Sequence, residues 1–276
     1  MTDSGGGTLY VVSTPIGNLA DLSARAIETL GRVNAILAED TRHSRPLLER
    51  HGIGGKLEAY HEHNEARATP RLIARLGAGE SFALISDAGT PLMSDPGHRL
   101  VAAAVAAGIR VVPVPGASAL LAALVGAGLP LDRFTFMGFP PRKGGARRDW
   151  IADLAGLRHT AVVYEAPGRV GALLAELAAA GGESRPCVVA RELTKQFEEF
   201  VHGTVASLAA AYESEPPRGE VVLVIGGAEP KAPDEAELRQ RVLALRAEGL
   251  SAREVSRVLS LESGVPRNTA YRLAHE

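Results

Sequence analysis

Phe82-Ala83-Leu84-Ile85-Ser86-Asp87-Ala88-Gly89-Thr90-Pro91-Leu92-Met93-Ser94-Asp95-Pro96-Gly97 joins an apolar run to a loop of small residues. Its first four residues are a short apolar run of the kind that forms a strand buried on both faces. The following residues are small ones, two prolines and two aspartates, and an apolar helical pattern then runs over Pro96–Ala107. Small residues let backbone approach a ligand closely, and prolines hold such a loop stiff. An earlier run, Leu9–Val12, empties in the same way into Ser13-Thr14-Pro15-Ile16-Gly17-Asn18. In an open parallel sheet, ligands sit beyond the carboxyl ends of the strands, where both loops belong.

Working outward, strands are predicted at Leu9–Val12, Ala35–Ala38, Leu57–Tyr60, Phe82–Ile85 and Arg110–Val114. Helices are predicted between them near Leu22–Gly31, Ser44–His51, Glu65–Leu76 and Pro96–Ala107, with Gly31, Gly52, Gly77 and Gly108 as helix stops. Continuous apolar strands alternating with helices imply a mostly parallel sheet covered on both faces. Past Pro113–Ser118 a second set begins, with strands at Phe134–Met137, Thr160–Tyr164, Cys187–Ala190, Glu198–His202 and Val221–Ile225. Its helices are expected at Ala117–Gly126, Arg148–Leu157, Gly168–Ala180 and Val205–Tyr212. The stretch Glu192–Gly203 suits a hairpin, so this half should be a mixed sheet.

Glu229–Asp234 has a linker's composition. Beyond it come three helical patterns: Glu235–Glu248, one opened by the capping box Ser251-Ala252-Arg253-Glu254, and one that starts after Pro266. Two short helices joined at Gly264 resemble a helix-turn-helix. The expected organisation is therefore an α/β domain over 8–116, a second over 117–229 and a helical domain over 234–276. Seven arginines against seven acids in Asp234–Glu276 give that tail no charge bias toward nucleic acid.

The 276 residues, 46% hydrophobic and 22% charged, suit a globular protein with a substantial core. A formal net charge of −2 excludes a protein that coats nucleic acid by bulk charge. The one cysteine, Cys187, lies in an apolar run and reads as a buried hydrophobe. No apolar stretch is long enough to span a membrane, and Met1–Gly7 lacks the features of a signal peptide, so the cytoplasm is expected.

Glycine-rich dinucleotide and P-loop fingerprints are absent, which weighs against a nicotinamide oxidoreductase or an NTPase. Glu39-Asp40-Thr41-Arg42-His43 follows the second strand and offers a charged rim to a substrate. Its structural alternative has Asp40 capping the next helix and Glu39 pairing with Arg42. Tyr60-His61-Glu62-His63 lacks a third soft ligand nearby, so hydrogen bonding or acid–base work suits it better than metal binding. Arg142-Lys143-Gly144-Gly145-Ala146-Arg147-Arg148 reads as a mobile basic loop able to contact phosphates, or else as a solvated loop.

Seven segments taken in order carry a resemblance: Thr14-Pro15-Ile16-Gly17-Asn18, Glu39-Asp40-Thr41-Arg42, Ser86-Asp87-Ala88-Gly89-Thr90-Pro91, Pro115-Gly116-Ala117-Ser118, Gly138-Phe139-Pro140, Tyr164-Glu165-Ala166-Pro167 and Ala190-Arg191-Glu192-Leu193-Thr194-Lys195. The series resembles the tetrapyrrole-methylase-like superfamily of S-adenosylmethionine-dependent methyltransferases over about Leu9 to Gly227. Within it, the chain is most similar to the branch that methylates the ribose 2′-hydroxyl of cytidine 1402 in 16S rRNA of the small ribosomal subunit. The resemblance implies two α/β domains, a cofactor cleft between them and a homodimer. Thr90 stands where many relatives carry the aspartate of a Gly-Asp-Pro loop, which argues against a porphyrinoid substrate. By motif position Ile16, Thr90, Met93, Ser118 and Ala119 should line the S-adenosylmethionine pocket, joined by Tyr164, Leu193 and Val221.

A hydroxyl is a weak nucleophile at neutral pH, so a positioned base or cation should assist it. Glu39, Asp40 or His61 are the candidates for base, and Arg42, Lys143 and Arg191 for holding the hydroxyl or a phosphate. No metal is implied. Competing readings are a methyltransferase of the same fold acting on a porphyrinoid or a protein, and a non-catalytic RNA-binding ribosome-assembly factor.

Overall fold

The computed structural model describes residues 6–229 and 235–276; most of the expected linker, at 230–234, lies outside them, as do residues 1–5. The described residues up to Ala228 form one compact unit and those from Glu229 a second.

The first unit begins with β1 (Thr8–Val12), α1 (Ala24–Arg32), β2 (Ala35–Ala38), α2 (Thr41–Arg50), β3 (Leu57–Ala59), α3 (Glu65–Gly77), β4 (Phe82–Ile85), α4 (His98–Ala106) and β5 (Arg110–Val114). Its five strands are all parallel, in the order β3-β2-β4-β1-β5. Every residue of β2 and β4 is buried, which explains why both read as unbroken apolar runs. The chain leaves β1 toward β2 and leaves β4 in the opposite direction toward β5. The neighbouring pair β1 and β4 is therefore the switch point, and the loops that follow them diverge around a crevice.

The second half contains α5 (Ala119–Gly126), β6 (Phe134–Gly138), α6 (Gly145–Gly156), β7 (Thr160–Glu165), α7 (Val170–Leu177), β8 (Pro186–Arg191), β9 (Glu199–Thr204), α8 (Val205–Ala211) and β10 (Val221–Ile225). Its sheet is mixed, in the order β6-β7-β10-β8-β9, with β6 parallel to β7 and the remaining pairs antiparallel. The wholly buried β10 inserts between β7 and β8 and forms the centre of this half's core.

Several boundaries depart from the sequence reading for local reasons. Helix α2 starts at Thr41, because the Asp40 carboxylate accepts from Arg42 N–H and caps it there. Gly52 and Gly108 take left-handed conformations as helix stops, but Gly31 and Gly77 lie within α1 and α3. Part of the basic run is helical: Gly144 turns the chain at φ 84°, and α6 starts at Gly145. Arg147 is fixed by Glu176 (Nε–Oε2, 2.8 Å) and by the Pro141 carbonyl (2.9 Å), leaving Arg142, Lys143 and Arg148 exposed. The Gly168–Ala180 helix is reduced to α7 between a 3-10 turn and a wider turn closed by Gly181 at φ 89°.

The second unit holds α9 (Glu235–Ala247), α10 (Ala252–Ser263) and α11 (Arg267–His275) around their own apolar core of Leu238, Leu245, Val255, Leu259 and Leu273. Ser251 and Glu254 close the capping box, and Gly264 ends α10 in the left-handed conformation.

Candidate active site

Thr14, buried beyond β1, donates its backbone N–H to Gly89 O at 2.8 Å and accepts the Gly89 N–H at 3.1 Å. Its hydroxyl also donates to Ser86 O at 3.2 Å. Next along, the Ser13 and Thr90 hydroxyls meet at 2.9 Å, and Thr90 donates to Ala117 O at 3.1 Å. The loops after β1, β4 and β5 are thereby locked to one another at the switch point. Gly89 sits at φ 83°, and a Cβ there would lie 3.1 Å from Ile16 Cγ2.

The second half completes the wall. Tyr164, on β7, accepts the Leu120 N–H at 3.1 Å, tying β7 to the first turn of α5. Phe136 and Phe139 pack edge-on against its ring at 4.9 and 5.5 Å between centroids. The next residue, Glu165, has a fully buried side chain. Its Oε1 accepts from Ala166 N at 2.7 Å and pairs with Arg169 at 2.6 Å, while Oε2 has no hydrogen-bond partner among the described residues.

Together these elements enclose a cavity of about 480 Å³, within the range of small-molecule sites. Ile16, Thr90, Met93, Ser118, Ala119, Tyr164, Leu193 and Val221, the eight residues that motif position assigns to the cofactor, all line it. Ser118 is the N-cap of α5, yet its side chain makes no capping hydrogen bond. A second cavity of about 640 Å³ shares Glu39, Ser94 and Asp95 with the first and is also lined by Glu62, Glu65, His98 and Arg99.

Among the six residues considered for catalysis, only Glu39 lines these cavities. Burial and the nearby Asp87 carboxylate raise its pKa, and His61 opposes them. Asp40 is occupied by its cap and by the exposed Arg42, whose guanidinium reaches it at 2.8 Å and holds the carboxyl well below the usual carboxylate range. His61 is half-buried, edge-on to His63 at 6.0 Å, and its buried Nδ1 has no hydrogen-bond partner among the described residues. Lys143 is exposed on the turn before α6, and Arg191 pairs with Glu199 at 2.7 Å along the β8–β9 edge.

The sequence reading gave no role to Asp87, Asp95, Phe139, Glu165 or Glu220, which also line the first cavity. The signal was present for four of them. Asp87 and Asp95 are the two aspartates of the loop after β4, and Phe139 and Glu165 lie inside motifs that carry the resemblance. Asp87 accepts the Asp40 N–H at 3.2 Å. Burial, reinforced by the Glu39 and Asp87 carboxylates, pushes Asp95 up to about 6, and the Ser86 hydroxyl pulls against that shift.

The family of tetrapyrrole (corrin/porphyrin) methylases matches residues 8–209. The chain is 48% identical to ribosomal RNA small subunit methyltransferase I of Mesorhizobium japonicum over 93% of this chain and 87% of that protein. It is 46% identical to the protein of the same name from Synechocystis, over 98% of each. The Escherichia coli O157:H7 protein of that name is 43% identical over 99% of this chain and 96% of its own. Among solved structures, the fold is similar to uroporphyrin-III C-methyltransferase from Thermus thermophilus in complex with S-adenosylhomocysteine. That match has a TM-score of 0.57 at 22% identity and covers 80% of this chain and 97% of the other. Diphthine synthase gives a TM-score of 0.60 at 14% identity, over 80% of this chain and 89% of the other.

Proposed function

Because this chain belongs to the tetrapyrrole methylase family, and within it to the ribosomal RNA small subunit methyltransferase I family, we propose that it methylates the ribose 2′-hydroxyl of cytidine 1402 in 16S rRNA. The observation that carries the reading is the cavity at the switch point, lined by all eight residues that motif position assigns to the cofactor. The residues present suit S-adenosylmethionine. Ile16, Met93, Leu193, Val221 and Val222 give apolar walls, and Gly89 leaves room that a Cβ would fill. Glu165, whose Oε2 has no hydrogen-bond partner among the described residues, also lines the cavity. Carboxylates at Glu39, Asp87 and Asp95 suit a ligand that carries positive charge.

When bound, S-adenosylmethionine supplies a methyl group already activated by its sulfonium. The protein's share is to align the attacking oxygen and exclude water, which the apolar wall does. Proton removal falls to a carboxylate of the wall common to both cavities, since Asp40 is committed to α2 and Arg42, and His61 lines neither cavity. Arg42, Lys143 and Arg191 act outside the cavity as phosphate contacts.

The acting form is a homodimer. Leu121 and Val125, four residues apart on the apolar helix α5, are 55% and 74% exposed and offer an apolar face to a second copy. The enzyme works in the cytoplasm on the assembled small subunit. Among the described residues no helix is long and apolar enough to cross a membrane.

Labelled-methyl transfer to small subunits lacking the modification, with naked 16S rRNA alongside and ribose-methylation mapping of the product, tests the reading. Label on the cytidine 1402 ribose is the expected result. Retained S-adenosylmethionine binding with no label on either substrate overturns the rRNA assignment.

A further inference from the structure

We propose that Asp95 is the catalytic residue that takes the proton from the attacking ribose hydroxyl. The assignment rests on the methyl-transfer reading above and names a group in the same site.

Position comes first. Asp95, with Glu39 and Ser94, belongs to the wall common to both cavities. The first cavity has the apolar lining that suits the methyl donor, and the second is polar and suits an incoming hydroxyl. A base for the reaction has to touch both compartments, and Asp95 does.

The backbone that presents it is strained. Leu92 and Ser94 are non-glycine residues at φ 72° and 71°, and Gly97 follows at φ 130°. A Cβ at Gly97 would lie 2.6 Å from Leu84 Cδ2, so the loop is pressed against β4 with no room to relax. Left-handed non-glycine residues persist where their surroundings over-determine them, and they cluster at active sites. Here the two flank Met93, and Ser94 directly precedes the half-buried Asp95.

The surrounding charges suit a base. Asp95 faces Glu39 from the end of β2, Asp87 from its own loop and Tyr164 from β7. Glu62 and Glu65 before and at the start of α3, and His98 and Arg99 of α4, share the second cavity with it. Glu165 and Glu220 share the first. The charges that act on Asp95 are Glu39 and Asp87, both anionic, and with burial they place its pKa at about 6. Burial and Asp87 raise the Glu39 pKa as well, with His61 opposing them. Asp95 is therefore ionised at neutral pH yet much more basic than an ordinary aspartate, which is what efficient proton transfer requires. Glu39 is its positioning residue.

In the step, the hydroxyl O–H bond breaks and the proton moves to an Asp95 carboxylate oxygen. The ribose oxygen forms its new bond to the methyl carbon, and the carbon–sulfur bonding pair stays on sulfur, which leaves as a neutral thioether. Asp95 then returns its proton to water.

The test compares the wild-type chain with Asp95→Asn and Glu39→Gln. S-adenosylmethionine affinity is measured by calorimetry, and single-turnover transfer to unmodified small subunits from about pH 5 to about pH 9. The Asp95 carboxyl is titrated by 13C NMR in the protein free of ligand, its resonance assigned by its loss in Asp95→Asn. At saturating S-adenosylmethionine, Asp95→Asn should lose roughly 10²–10⁴-fold in rate. Glu39→Gln should move the acid limb of the profile and the carboxyl midpoint to lower pH together. A rate for Asp95→Asn within about threefold of wild type overturns the assignment, since a general base is worth far more. So does an acid limb that stays in place while the carboxyl midpoint moves, and that comparison decides alone if Asp95→Asn binds no S-adenosylmethionine. No transfer by the wild-type chain overturns the rRNA reading and Asp95's role with it; an active wild type with an unimpaired Asp95→Asn overturns Asp95's role alone.

Discussion

Thr14 and Gly89 exchange backbone hydrogen bonds, N–H of Thr14 to Gly89 O at 2.8 Å and N–H of Gly89 to Thr14 O at 3.1 Å, in an isolated antiparallel bridge. The bridge joins the loops that leave β1 and β4 in opposite directions, so it sits at the topological switch point. It converts two separate strand ends into one rigid floor for the cavity, and Gly89 makes it possible by turning at φ 83°.

Gly89→Ala should therefore damage ligand binding more than folding. A side chain in the left-handed region costs about 1–2 kcal/mol, and the new Cβ would press on Ile16 at 3.1 Å. With the strain released by a shift of the floor, affinity for S-adenosylmethionine should fall roughly tenfold. Calorimetric titration checks this, with thermal unfolding alongside to show that the fold persists.

Arg42→Ala should separate substrate contact from cofactor binding. The Arg42 side chain is 89% exposed, lines neither cavity and is held in place by Asp40. Loss of one charge-assisted contact to a phosphate is worth ~1.5 kcal/mol, or roughly tenfold in kcat/KM. S-adenosylmethionine affinity should stay at the wild-type value. Steady-state methyl transfer at two salt concentrations measures the effect, which should shrink at the higher salt.

The contrast between these positions shows what was legible in the amino-acid order. Buried parallel strands such as Phe82–Ile85 announce themselves as apolar runs, and loops of small residues mark where a ligand fits. The Asp40 cap is equally local, since an aspartate two residues before its target N–H needs nothing from elsewhere. Tertiary effects are different. Asp95 gains its basicity first from burial and then from Glu39, brought beside it because β2 pairs with β4. Arg147 loses its freedom to Glu176 on α7, which no reading of the basic run alone could supply. The insertion of β10 between β7 and β8 is likewise a long-range choice, since β7, β8 and β10 all carry similar apolar runs.

Val125→Lys should disrupt self-association without unfolding the chain. Val125 is largely exposed at the end of α5, so the protomer's core does not depend on it. A lysine at the centre of an apolar interface weakens association by roughly a hundredfold, the scale of one hot-spot contact. Sedimentation velocity across a concentration series should show a dimer for the wild type and a monomer for the variant. A wild-type chain that stays monomeric throughout would remove the homodimer.

Asp95→Asn should make the protein more stable at neutral pH, the opposite of what loss of a structural carboxylate does. The folded-state pKa of Asp95, about 6, lies above the ordinary value of 3.8, so the folded chain holds this proton more tightly than the unfolded chain. Its contribution to stability is fully present below pH 3.8 and is lost as the pH rises through about 6. Asparagine cannot ionise and escapes the loss. The Tm of Asp95→Asn should exceed that of the wild type at pH 7.5, and the difference should close on titration toward pH 4. Such a gain, with methyl transfer lost, is the trade expected where a carboxylate is held ionised against its surroundings for chemistry. Equal Tm values across that range would show that the carboxylate is unperturbed in solution and remove the basis for its enhanced basicity.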